Sequence, residues 1–152
     1  MPGERTGPGI YTLILYLPCS GFIEIGSLGE INFDRGYYSY TGSARGPGGL
    51  KRVDRHMQVA AGNKHTRRWH IDYLLPFCQV LDAVITKTKM DLECVIAKAL
   101  EERLTSVPRF GCSDCDCISH LHYSFDLPGM KEAVASAHSS ASFRGCTDLV
   151  HG

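Results

Sequence analysis

With 152 residues, 43% of them hydrophobic and 21% charged, the chain has the make-up of one globular domain and not of a disordered segment. Sixteen basic residues balance sixteen acidic ones, so no net charge marks a partner. No apolar run approaches the roughly 18 residues of a membrane span, and the opening MPGERTGPG lacks the apolar core of an export signal; the expectation is a cytoplasmic protein with no membrane partner.

Residues 9–17 (GIYTLILYL) are apolar on both alternate sets and predict a central strand covered on both faces. Strands over 22–26 and 30–34 follow around the turn Ser27-Leu28-Gly29; in the second, Ile31 and Phe33 alternate with Glu30, Asn32 and Asp34. Tyr37 to Thr41 is a further strand, which would complete an antiparallel meander. The glycine-rich stretch from Gly42 to Gly49 leads into a helix from about Leu50 to Ala61, on which Leu50, Val53, Met57 and Ala61 are spaced to face the sheet. Arg52 and His56, four residues apart, lie one turn above the other on the border of that face. Helices over 68–75 and 91–104 flank a strand over 77–86. The last 25 or so residues, rich in Ala, Ser and Gly, read as weakly ordered, which divides the chain into a domain over 1–126 and a tail over 127–152. The fold class expected is α/β (α+β), a mixed, mainly antiparallel sheet flanked by helices.

Charge is unevenly spread. Arg45, Lys51, Arg52, Arg55, Lys64, Arg67 and Arg68 lie between Arg45 and His70 against Asp54 alone, which leaves nine basic and fifteen acidic residues elsewhere. Such a segment suits either a phosphate-facing surface or a solvated helical face. The loop GSARGPGG could likewise cradle a phosphate at a helix N-terminus or simply turn the chain. On the 91–104 helix, Leu92, Ile96, Leu100 and Leu104 form an apolar stripe and Glu93 projects beside it. A carboxylate there needs an arginine or a divalent metal to meet it. Trp69-His70-Ile71-Asp72 reads as structural, with Asp72 paired to a nearby arginine. Cys19, Cys78, Cys94 and Cys146 are scattered and read as small buried hydrophobes. Cys112, Cys115, Cys117 and His120, with His122, have zinc-like spacing, although all fall within eleven residues and also suit buried thiols beside a strand.

Gly9-Ile10-Tyr11, then Tyr40-Thr41-Gly42, a helix carrying Arg52, and Glu93 on a later helix follow the order GIY, YxG, Arg, Glu. This order resembles the GIY-YIG nuclease superfamily. Arg52-Val53-Asp54-Arg55-His56, Trp69 to Leu75, Glu93-Cys94 and Phe110 to Leu121 extend the resemblance to a largely archaeal branch with RxxRH, WHIDYLL and FGCSDCxCxSHL segments, over about residues 9–125. The chain departs from the superfamily in two ways: 28 residues separate Tyr11 from Tyr40, room for an extra hairpin, and Thr41 replaces an isoleucine.

The resemblance implies a metal-dependent endonuclease acting on DNA, with RNA not excluded, and a place in DNA repair by association with related domains fused to a base-excision glycosylase. It implies that Glu93 binds Mg²⁺ or Mn²⁺, that Arg52 neutralises the phosphate, that Tyr11 or Tyr40 orients or deprotonates water, and that His56 assists. Arg45, Lys51, Arg55, Lys64, Arg67 and Arg68 would hold nucleic acid, and a structural Zn²⁺ at the cysteine cluster is the further cofactor considered. The alternative is a nucleic-acid-binding module of the same fold without catalysis.

Overall fold

The computed structural model describes residues 6–46, 48–111 and 117–151, with side chains through residue 142. β1 (Gly9–Leu17) is followed by β2 (Gly21–Glu24), β3 (Glu30–Phe33), β4 (Gly36–Ser43), α1 (Lys51–Ala60), α2 (His70–Leu74), β5 (Gln79–Lys87), α3 (Glu93–Glu101), β6 (Thr105–Ser106), β7 (Leu121–Ser124) and α4 (Leu127–His151). Five strands form one sheet in the order β5-β1-β4-β7-β6, and every pairing among the described strands is antiparallel. The expected α+β class with helices flanking the sheet is what forms. β2 and β3 pair only with each other, as a separate two-stranded sheet. The meander therefore breaks: β1 pairs directly with β4, and the hairpin between them leaves the sheet to cover one face.

β1 is buried on both sides, as its uninterrupted apolar sequence requires. Tyr11, Leu13, Leu15 and Leu17 face a core shared with the hairpin (Ile23, Phe33), α1 (Val53, Val59) and α2 (Ile71, Leu74). Ile10 and Ile14 face the opposite core, built on Ile96 and Leu100 of α3 and on Met130, Ala133, Val134, Ala137 and Ala141 of α4. Thr12, also on that face, hydrogen-bonds Thr41 at 2.9 Å and His138 of α4 at 2.8 Å. The other ring nitrogen of His138 meets the half-buried Thr86 at 2.9 Å, so a largely buried polar chain ties α4 to three strands.

Two expectations are corrected here. The segment after residue 126 is not a weakly ordered tail: α4 continues from it, and its small residues at helical spacing let the backbone pack close to the sheet. On α1 the buried positions are Val53, His56 and Val59, preceded by Leu50, while Met57 is half-buried and Ala61 exposed. His56 thus sits inside the face, not on its border.

Candidate functional site

One cleft of about 370 Å³ gathers residues from distant parts of the chain: Tyr11, Tyr40, Gly42, Ser43, Arg45, Arg52, Trp69, Asp91, Glu93, Cys94, Gly111 and His120. It forms where the start of β1 meets the end of β4. Tyr11 and Gly42 are direct register partners across these strands, and a side chain at Gly42 would collide with the Tyr11 ring and hydroxyl. The two tripeptides Gly9-Ile10-Tyr11 and Tyr40-Thr41-Gly42 are therefore one cross-strand unit. The glycine is the only residue that leaves the phenol room.

The Tyr11 hydroxyl lies 2.7 Å from His56 Nε2. Burial, then the neighbouring Tyr40, push its pKa well above 10, against the pull of the Arg52 guanidinium, which hydrogen-bonds it. Burial pushes His56 down to about 4, so its imidazole is neutral and can accept a hydrogen bond from the phenol. Tyr40 stands edge-on to the same imidazole, with ring centroids 6.0 Å apart. Arg52 donates to the Ser43 carbonyl and lies over Trp69 at 4.8 Å, so its guanidinium is aimed at the cleft by a backbone acceptor and a ring face.

Glu93 opens α3, where the helix N-terminus favours a carboxylate. Burial and the Asp91 carboxylate raise it to about 7, opposed by the Ser43 N–H, which hydrogen-bonds it, and by Arg52 and Arg45. Its Oε2 is 3.4 Å from His120 Nδ1, and its side chain is 23% exposed. The five residues Tyr11, Tyr40, Arg52, His56 and Glu93 are thus brought together, with His56 behind Tyr11 and not on the cleft wall.

The basic residues divide. Arg55 is turned inward: it makes a two-pronged pair with the fully buried Asp72, at 3.0 and 2.9 Å. Asp72 also accepts from the N–H groups of Arg68 and Trp69, and these donors hold its carboxyl below the usual range although burial works the other way. Asp72 therefore pairs with an arginine as its neighbourhood suggested. Arg55 also stacks on Trp69 at 4.4 Å. Lys51, Lys64, Arg67 and Arg68 are exposed, and Arg45, also exposed, pairs with Asp91 at 3.3 Å. His70 is hydrogen-bonded, accepting the Gly111 N–H at 2.9 Å.

The cysteine cluster differs from the expected one. Cys94, Cys117 and His120 bring ligand atoms within 4.8 Å of one another and could hold a metal ion. Cys112 and Cys115 lie outside the described residues. Cys94 is not the scattered hydrophobe its position suggested, and spacing could not reveal it because its partners are remote in sequence. No helix among the described residues is long and apolar enough to cross a membrane. No curated protein and no solved structure matches the chain significantly. The model of the family described as Domain of unknown function DUF123 matches residues 10–143, almost the whole length, and the chain belongs to that family.

Proposed function

We propose that the protein is a metal-dependent endonuclease of the GIY-YIG type that hydrolyses DNA phosphodiester bonds. The observation that carries this reading is the convergence of Tyr11, Tyr40, Arg52 and Glu93 on one open cleft, with His56 hydrogen-bonded behind Tyr11. The donor set suits Mg²⁺ or Mn²⁺: Glu93 and Asp91 are hard carboxylates side by side, and the repulsion and burial that raise Glu93 are what a cation relieves. Such an ion, held by Glu93, supplies Lewis-acid polarisation of the phosphate and stabilises the leaving oxygen.

The chain's own residues do the rest. Arg52, fixed by Ser43 and Trp69, presents a planar fork to the phosphate and offsets the charge that builds on it. Tyr11, its hydroxyl held by the hydrogen bond to His56 Nε2, orients the attacking water. Tyr40 lines the cleft beside Tyr11, with ring centroids 6.4 Å apart. Arg45, Lys51, Lys64, Arg67 and Arg68 hold flanking phosphates.

A panel of linear, nicked, flapped, four-way and abasic DNA, incubated with Mg²⁺ and Mn²⁺, tests the reading. Native protein is expected to cut at least one substrate in a metal-dependent way, and Glu93→Gln to lose at least about 100-fold in rate while keeping its fold. If neither protein cuts but both bind DNA, the cleft is a binding surface without catalysis. Equal cutting by both removes Glu93 from the reaction.

A further inference from the structure

Cys94 sits in the first turn of α3, whereas Cys117 and His120 belong to the segment that leads into β7. The two parts of the chain converge only in the folded protein. Cys117 and His120 are buried, Cys94 is partly so, and neither sulfur is in a disulfide. Two thiols and an imidazole with ligand atoms within 4.8 Å of one another are soft donors of the kind that selects zinc over magnesium. Tetrahedral zinc holds sulfur at about 2.3 Å and nitrogen at about 2.0 Å, so its ligand atoms stand roughly 3.5 to 3.8 Å apart. Closing the cluster by about 1 Å is within the reach of side-chain rotation alone.

We propose that Cys94, Cys117 and His120 bind one zinc-class divalent ion that cross-links the start of α3 to the segment before β7. The chemistry differs from that of the Glu93 cation, which takes oxygen donors, and the site stands whether or not the cleft cleaves DNA. Its position is nonetheless informative. Cys94 and His120 both line the cleft, so part of the ion's coordination sphere faces it. Metal-bound histidines typically engage a carboxylate through their second nitrogen, and Glu93, 3.4 Å from His120 Nδ1, is the carboxylate at hand.

Full-length protein, purified under reducing conditions with zinc supplied and then dialysed free of loose metal, is expected to retain about one zinc per chain by elemental analysis. Replacement by cobalt is expected to give the intense thiolate-to-metal absorption of a tetrahedral site. Cys94→Ser and Cys117→Ser should each weaken zinc binding at least about ten-fold, as loss of a metal ligand does. Cys19→Ser, at an exposed thiol, should leave it unchanged. Native protein without retained zinc and without a cobalt–thiolate band overturns the proposal, and these two readings suffice if a variant does not fold. So does full zinc retention by Cys94→Ser, which places the ion on other cysteines. A Cys94–Cys117 disulfide found in place of metal in the native protein also rejects it.

Discussion

Asp72 is a carboxylate with no exposure to water, and four hydrogen bonds account for it: two from Arg55 and one each from the backbones of Arg68 and Trp69. Removing it would leave the half-buried Arg55 charge and two N–H groups at the start of α2 unmatched. Asp72→Ala is therefore expected to cost about 3–5 kcal/mol in equilibrium unfolding; a loss under 1 kcal/mol would show that Arg55 finds another partner. Histidine protonation acts in the same core. Burial pushes His56 and His138 down to about 4, whereas in the unfolded chain each titrates near 6.5. The unfolded chain binds more protons between these values, so their contribution to stability is complete above pH 6.5 and is lost as pH falls through 4. Denaturant titrations from pH 7 to 4 should show stability falling, and His138→Gln should flatten the slope; a slope unchanged in that variant means His138 is not among the groups that drive it. These residues also mark how far the sequence could be read. Tyr11, Tyr40, Arg52 and Glu93 were legible as a set because their order along the chain resembles a known pattern. His56 was placed one step outside its true position because a histidine letter conceals whether its ring is hydrated or packed. Cys94 was not legible as a candidate ligand because tertiary structure, not spacing, brings Cys117 and His120 to it.

α4 shows at the scale of an element what composition hides. Its Ala- and Ser-rich sequence lacks the bulk expected of a core helix, yet Met130, Ala133, Val134, Ala137 and Ala141 recur at helical spacing and are buried. Small side chains are what allow the helix to lie close enough for His138 to reach Thr12 and Thr86. Met130→Ala, at a fully buried position, should cost about 2–5 kcal/mol. Removal of residues 127–152 should abolish cooperative unfolding, because Ile10, Ile14, Ile96 and Leu100 would lose the helix that covers them. A sharp thermal transition in the truncated chain would contradict this. The strands were easier to read: β1 shows its burial in its uninterrupted apolar run and β3 in its alternation. The partners of β1 were not legible, since either β2 or β4 could have paired with it. β4 adjoins it because that pairing opposes Tyr11 to Gly42, where the ring fits.

Across the whole molecule, the basic segment is less of a surface than its letters suggest. Of its seven cationic side chains, Arg52 is held by Ser43 and Arg55 by Asp72, which leaves Arg45, Lys51, Lys64, Arg67 and Arg68 facing solvent. If these hold phosphates as proposed, the logarithm of DNA affinity should fall with the logarithm of salt with a slope of about −4.5, about −0.9 per contact. The Arg67→Ala, Arg68→Ala double variant should reduce that slope by about 2; an unchanged slope would exclude both from the interface.

The hydrogen bond between Thr12 and His138 spans 126 residues of sequence. During biosynthesis the first strand therefore leaves the ribosome long before the helix that completes its far side exists. Tyr11, Leu13 and Leu15 can bury one side against the hairpin and α1 as soon as these emerge, while the cover over Ile10, Thr12 and Ile14 begins with α3 and is complete only when α4 has been made. Folding of the nascent chain is thus divided in time, one face early and the other late, and the interval exposes a broad apolar sheet surface that a chaperone would recognise.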